Sequence, residues 1–304
     1  TSSALASSSA IRTRTGYTFL RWDTLANGSG TPYAEGDSYA FGADLTLYAI
    51  WTANTYAVTY NANSATSGTV PANQSKTHAI DLTLQTNSGT LARTGYTFGG
   101  WNTASNGTGT PYAAGATYTT NAGLTLYAKW TINTYTVTYD GNGESSGTAP
   151  VDGISPYDYN STVTVLGNSG TLAKTGYTFA GWNTQSNGEG TNYLSGAIFT
   201  VGSSHVNLYA KWTANTYTIT YNSNGGSGSA QRSSANVASD TFTTGNSSVV
   251  LPDAGTLTRS GYTFDGWNTS AAGTGTNRAA ADTFTTVSDV IFYAKWNPIT
   301  YTIT

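Results

Sequence analysis

LTLYAKWTINTYTVTY, residues 124–139, holds the organisation of this chain. One apolar run ends at Trp130, and Thr131, Ile132 and Asn133 separate it from the next run. That second run alternates. Tyr135, Val137 and Tyr139 share one face and threonines take the other, the period-two signature of a strand. The same junction stands at residues 45–60 (LTLYAIWTANTYAVTY), 207–221 (NLYAKWTANTYTITY) and 291–304 (IFYAKWNPITYTIT). It reads as the seam between repeated modules.

Working outward, a second signal recurs in step with the first. GYTFLRWDT starts at Gly16, GYTFGGWNT at Gly95, GYTFAGWNT at Gly176 and GYTFDGWNT at Gly261, offsets of 79, 81 and 85 residues. The closing tryptophans, Trp51, Trp130, Trp212 and Trp296, are 79, 82 and 84 apart. A constant order at a near-constant period is a tandem array. A unit of about 80 residues is long enough to hold its own core, unlike a solenoid repeat of about 20–45. The expected division is an N-terminal arm (1–15), an incomplete module lacking its first strand (16–53), three modules (54–132, 133–214 and 215–297), and a last segment (298–304) that repeats a module's opening strand.

Within a module the pattern predicts about five strands, seen in the third as residues 134–139, 161–167, 177–182, 197–201 and 206–212. Gly- and Asn-rich turns such as 140–147 and 186–196 separate them. Little or no helix is expected, with one helical turn at most over 233–240 (SSANVASD). The fold class is mainly β. Residues 1–15 are small, polar and aperiodic, the composition of a flexible arm.

Composition narrows the function. Among 304 residues 9% are charged and the formal net charge is -3. There is no basic surface for nucleic acid. No apolar stretch approaches the roughly 18–20 residues of a membrane helix, so no membrane insertion is expected. With no cysteine there is no disulfide framework and no thiolate chemistry, and the compartment is left open. The chain opens on Thr1 without Met or a leader, as a processed protein or a fragment would. Six Asn-x-Ser/Thr sites (Asn27, Asn73, Asn106, Asn160, Asn246 and Asn268) follow from a composition rich in those residues.

GYTFxGW followed by LYAKW resembles the internalin B-type repeat, also called the Listeria–Bacteroides repeat. Arg21 stands for the second Gly in the first copy. Ile50 replaces the Lys there, and Phe292 replaces the Leu in the last. The resemblance covers nearly all of the chain beyond the first 15 residues. It implies a tandem array of small β-grasp-like modules on a bacterial surface protein, extracellular and not enzymatic. Modules of that family carry a helix or helical turn after the first strand; the corresponding residues 62–76 are rich in Gly, Ser and Thr.

The recurring residues divide by role. The eight tryptophans, Trp22, Trp51, Trp101, Trp130, Trp182, Trp212, Trp267 and Trp296, are expected in module cores. So small a module buries only about 60% of its unfolded surface and needs large anchors. The competing reading is an exposed sugar platform. Tyr48, Tyr127, Tyr209 and Tyr293 fall on the opposite face and are candidates for exposed or inter-module contacts. Lys129, Lys211 and Lys295 recur with Asn102, Asn183 and Asn268. Both positions change in the first module, to Ile50 and Asp23, which suggests that they touch. The sharp version is a Lys–Asn isopeptide bond, but no acid recurs to shuttle its proton. The ordinary version is a lysine stem on an aromatic ring with its head near the Asn carbonyl. Residues 140–144 (DGNGE) begin like a calcium loop but lack the remaining ligands. His78 and His205 stand in non-equivalent places, so no metal, cofactor or catalytic residue is expected.

The ends suggest a further device. The first module lacks an opening strand, and residues 299–304 repeat one. The expectation is a stiff fibre or stalk whose partner is itself. Ile299, Tyr301 and Ile303 of one subunit would enter the first module of the next, against Tyr17, Phe19 and Trp51, and give a head-to-tail filament. Tyr301 and Ile303 would take the places of Tyr56 and Val58 in the second module. The alternatives are a window on a longer array, and an adhesin that binds a host or surface glycan or receptor.

Overall fold

The computed structural model describes residues 2–5 and 13–303. The chain forms two compact units, Thr1–Thr134 and Tyr135–Thr304. It is all-β, with no helix among the described residues.

The second module shows the plan. Its alternating first strand, Thr55–Asn61, lies beside its last strand, Leu124–Ile132. The two run parallel, with Val58 opposite Leu124 and Tyr60 opposite Leu126. Tyr96–Asn102 pairs antiparallel with the other edge of the last strand, Pro111–Tyr112 lies outside it, and Gln74–Thr77 lies outside the first strand. The result is five strands, with a separate pair from Leu82–Thr83 and Thr117–Tyr118. Parallel pairing needs a long crossover, and the residues between the first and last strands supply it. The inward faces meet in one core, Val58, Tyr60, Leu84, Leu91, Trp101, Tyr118, Leu126 and Ala128.

The fourth module repeats this with Thr216–Asn222 parallel to Val290–Pro298, again in a five-stranded sheet. In the third, Val137–Asp140 runs parallel to Val206–Ala214. In each of these three modules two residues between the Phe and the Trp of the GYTF strand oppose one on the last strand, a β-bulge. Gly100 takes φ +97° there, and a Cβ would stand 2.6 Å from the Tyr112 carbonyl oxygen, which explains the glycine.

The first module forms a three-stranded sheet, Pro32–Tyr33, Tyr17–Asp23 and Tyr48–Ala53. Its last strand begins three residues later than Leu124–Ile132 does, because residues 45–47 have no parallel neighbour among the described residues. Trp22 and Trp51 remain half-buried, where Trp101 is fully buried under Tyr60 of its first strand.

Two local expectations are corrected. Ser2–Ala4 is no flexible arm but a strand paired with Ser38–Ala40; the rest of the arm lies partly outside the described residues. The stretch 233–240 holds no helical turn. Gln231–Arg232 and Ala235–Asn236 form a hairpin whose two turn residues, Ser233 and Ser234, take φ of 51° and 68°. Two positive φ values match the twist of a hairpin and oppose a helix.

Candidate functional site

The junction between modules is the most constructed feature of the chain. Tyr17 faces Ala53 at the end of the first module's ladder. Asn54 carries that ladder one step further, its N–H donating to the Gly16 carbonyl at 2.9 Å. Its own carbonyl accepts from the His78 N–H of the next module at 2.8 Å. Its side-chain Oδ1 accepts the Thr18 hydroxyl at 2.7 Å. One residue thus closes one sheet and opens the next. The His78 ring stands edge-on to Tyr17 at 5.2 Å, over Gly16.

The junction before the fourth module is built alike. The Asn215 N–H donates to Gly176 O at 2.8 Å, Thr178 Oγ1 donates to Asn215 Oδ1 at 2.6 Å, and Thr244 N–H donates to Asn215 O at 3.0 Å. Asn133 makes the same two bonds to its own module, with Gly95 O at 2.9 Å and Thr97 Oγ1 at 2.6 Å. At the fourth position Ile299 keeps the backbone bond, to Gly261 O at 2.8 Å, and has no amide to offer. These asparagines lie outside the residues expected to carry a role. Their signal was the Asn of W-x-x-N-T-Y recurring with the Thr of G-Y-T.

The tryptophans occupy two kinds of place. Trp101, Trp182 and Trp267 are completely buried. Their ring N–H groups donate to Gln85 O, Leu166 O and Pro252 O at 2.8, 2.9 and 2.8 Å. Trp130, Trp212 and Trp296 are half-buried, edge-on to Phe98, Phe179 and Phe264. Their N–H groups reach Asn63 O, Gly141 O and Ser223 O at 2.8, 3.0 and 3.0 Å. Trp22 and Trp51 both stand edge-on to Phe19. Tyr127, Tyr209 and Tyr293 are half-buried and Tyr48 is exposed.

The residues expected at a subunit contact are not gathered at one edge. Tyr17 and Phe19 pair with Ala53 and Trp51, and farther along their strand Trp22 and Asp23 also pair with Tyr33 and Pro32 on the other side. Among the described residues no parallel strand lies beside residues 45–48, the counterparts of those that pair with Val58–Asn61 in the second module. Tyr301 and Ile303 are 81% and 98% exposed, and Ile299 is 40% exposed; Thr304 lies outside the described residues.

The Lys–Asn pair is corrected. Asn183 Oδ1 accepts from Gln185 and Gly190 N–H, and its Nδ2 donates to Gly188 O, Gly190 O and Asn192 Oδ1, so its amide is fully engaged in its own loop. Lys211 stops at Asn192 Oδ1, 2.8 Å away. The paired change in the first module has another cause. Asp23 Oδ1 keeps the two N–H bonds, from Leu25 and Gly30, but a carboxylate has no N–H to give. Arg21 supplies it, donating to Gly28 O at 2.8 Å and lying 3.4 Å from Asp23 Oδ2. The Leu25 N–H, the Gly30 N–H and Arg21 together hold the Asp23 carboxyl below its ordinary range against the opposing effect of desolvation.

The DGNGE turn is a turn: Asp140 Oδ1 accepts from Asn142 N–H, and Asn142 Nδ2 donates to Ser186 O and Ala210 O. His205 accepts from the Thr136 backbone. Among the described residues no group of three or more His, Asp or Glu converges on one point.

This architecture of short repeated β-modules meets a known family. The Listeria-Bacteroides repeat domain model matches residues 1–50, 56–129, 135–211 and 217–295. The chain belongs to the Listeria-Bacteroides repeat domain family, as four tandem copies. It is 35% identical over 253 residues to a protein of Evansella cellulosilytica provisionally named a Gly-rich membrane protein, across 82% of this chain and 27% of that one. A second, provisionally named a membrane protein, from the same organism is 34% identical over 202 residues, 66% of this chain and 28% of the relative. Internalin H of Listeria monocytogenes is 32% identical over 122 residues, 40% of this chain and 20% of the relative. The chain thus spans about a quarter of the length of these relatives. The repeat is typical of bacterial surface proteins. No helix among the described residues is long and apolar enough to cross a membrane.

Proposed function

We propose that this chain is a stiff, non-enzymatic section of an extracellular stalk or fibre on a bacterial surface. The observation that carries the reading is the junction at Asn54 and Asn215. There the backbone ladder passes from one module to the next without an unbonded residue, and a side-chain hydrogen bond fixes the same peptide. A connector of this kind has no slack to absorb rotation. The test is a distance distribution between spin labels on two modules of the intact chain. The protein has no cysteine, so Leu194→Cys and Val287→Cys, both at exposed positions, give a unique pair. A narrow single peak is expected, and a broad distribution overturns the stiff-stalk reading.

A second reading concerns assembly. Residues 45–48 have no parallel neighbour among the described residues, and the alternating Tyr301 and Ile303 are exposed. We propose that this edge takes the 299–304 segment of another copy, giving head-to-tail filaments. In a longer polypeptide, residues ahead of the first module would fill it instead. Sedimentation of the purified chain, with and without Ile303→Asp, separates the two. Concentration-dependent polymers that the substitution abolishes support donation between copies, and a monomer at every concentration overturns it.

A further inference from the structure

The second module holds a cavity of about 270 Å³ lined by Arg93, Lys129, Trp130, Asn63 and the 105–107 loop. The fourth holds its counterpart, about 260 Å³, lined by Arg259, Lys295, Trp296, Asn224 and the 270–273 loop. The third carries Lys174 in place of the arginine, with Lys211 and Trp212 at the other two places. Six of the chain's 12 basic residues therefore stand in three equivalent positions, each pair beside a tryptophan. A scattered surface charge would not repeat in this way.

The three sites differ in how much of their charge is already taken. Lys295 is 2.7 Å from the Asp265 carboxylate. Lys211 donates to Asn192. In the second module the counterparts of Asp265 and Asn192 are Gly99 and Pro111, which offer no acceptor side chain. The surrounding charge also differs. Between residues 54 and 132 there are three basic residues, Lys76, Arg93 and Lys129, against one acid, Asp81, a net +2 within a chain of net -3. The second module thus attracts anions while the chain as a whole repels them. Asn63 already spends its amide on Ser105 O and Ala128 O, and Trp130 its N–H on Asn63 O. The rim is therefore held in place, and the Arg93 guanidinium has its own support, lying over the Tyr96 ring 3.9 Å from its centroid. That guanidinium, the Lys129 ammonium and the half-buried indole are what the cavity offers.

We propose that the Arg93–Lys129–Trp130 cavity of the second module binds the anionic group, carboxylate or phosphate, of an acidic saccharide polymer. The cations take the charge, Arg93 by its planar fork, and the tryptophan takes the apolar face of a sugar ring. The fourth module's site is a weaker copy because Asp265 occupies its lysine. The surface location supplies a source for the ligand, but the binding itself stands apart from stiffness and from assembly.

The test uses the whole chain and two anionic probes, trigalacturonate and a glycerol-phosphate trimer, with galactotriose as the neutral control. Titration followed by calorimetry and by the Trp130 indole N–H resonance is expected to show one or both anionic probes binding and the neutral one not. Binding should weaken as salt rises. Lys129→Ile, the residue that the first module carries as Ile50, should lower the affinity at least about tenfold, the loss of one charge-assisted hydrogen bond, with unchanged thermal melting. Arg93→Gln should do the same. Asp265→Gly, which copies Gly99, should add a second site. Which anionic probe binds identifies the source of the charge. No binding of either probe at millimolar concentration, equal binding of galactotriose, or binding untouched by Lys129→Ile and Arg93→Gln overturns the proposal.

Discussion

Tyr221 donates its hydroxyl to Asp240 at 2.8 Å in the same place where Tyr60 donates to Gln74 at 2.6 Å. Both tyrosines lie against the core tryptophan, 5.1 Å from Trp267 and 4.7 Å from Trp101 between ring centroids. Both acceptors face the central residue of the first strand, Ile219 or Val58. One module closes this corner with a charge and the other with an amide. In the fourth module Arg232 completes it, with Nη1 and Nη2 at 2.9 and 2.7 Å from the two Asp240 oxygens and a further bond to Val250 O.

The difference predicts unequal acid sensitivity. Arg232 and the Tyr221 hydroxyl hold the Asp240 carboxyl below its ordinary range. A carboxylate whose folded pKa is depressed contributes stability that is present above its unfolded value, about 3.9, and is lost as pH falls through the folded value. Amide exchange in Thr216–Asn222 should therefore accelerate between neutral pH and pH 3 more than in Thr55–Asn61, after correction for intrinsic rates. Asp240→Asn should remove the extra pH dependence at a cost of about 1–2 kcal/mol at pH 7, discounted for the partly exposed arginine. Equal responses in the two strands would refute the assignment.

Lys76 is completely buried, and its ammonium donates to Thr77 O and Asn121 Oδ1 at 2.9 and 3.0 Å. It faces Tyr56, and in the fourth module Phe242 faces Tyr217 at the same point. A core position is thus filled by a charged side chain with two neutral acceptors. Lys76→Met keeps the stem and removes the charge, and should leave stability unchanged or raise it by up to about 3 kcal/mol. Lys76→Ala leaves a cavity and should cost about 2–4 kcal/mol. Urea unfolding followed in the second module would check both, and a destabilising Lys76→Met would show that the ammonium's bonds outweigh its desolvation.

Arg21 and Asp23 form a coupled pair. Arg21→Gly alone strands the Gly28 carbonyl, because Asp23 has no N–H to give it. Asp23→Asn alone leaves the arginine without its carboxylate. The double change restores the arrangement of Gly100 with Asn102. Each single variant should melt lower than the parent and the double variant close to it, a non-additivity that a double-mutant cycle in thermal melting measures. Additive effects would mean that the two residues act independently.

Gly176 takes φ +81°, and a Cβ there would meet the Thr244 side chain across the junction at 2.6 Å. Gly176→Ala adds both a left-handed strain of about 1–2 kcal/mol and a wedge between two modules. Broadening of the spin-label distance between the third and fourth modules is expected together with a lower melting point. A lower melting point with an unchanged distance would confine the effect to the backbone of one module.

The modular order was legible because two independent signals, GYTF and LYAKW, keep step over four copies. The strands were legible because Tyr135, Val137 and Tyr139 alternate with threonine. The parallel pairing of first and last strand was not, since alternation names the faces of a strand but not its neighbours. Lys76 was hidden because burial of a charge leaves no local pattern. The 231–236 hairpin leaves no sequence signal because Ser233 and Ser234 lack the Asn-Gly signature that normally marks two positive φ values. The compensation of Asp23 by Arg21 is visible as departures within one copy, but the paired change of Asp23 and Ile50 points to the wrong contact: Ile50 lies across the strand pair from Arg21, and Asp23 lies across from Tyr48.

The parallel contact between the first and last strands has a mechanical meaning. Load on a tethered array enters a module at the start of Thr55–Asn61 and leaves at the end of Leu124–Ile132. Because the two strands point the same way side by side, tension draws them in opposite directions along their shared axis. The hydrogen bonds from Val58 to Asn61 and from Leu124 to Tyr127 are then sheared together instead of unzipped one at a time. The second, third and fourth modules each place such a clamp directly in the line of pull, and the junction at Asn215 hands that pull from the third clamp to the fourth.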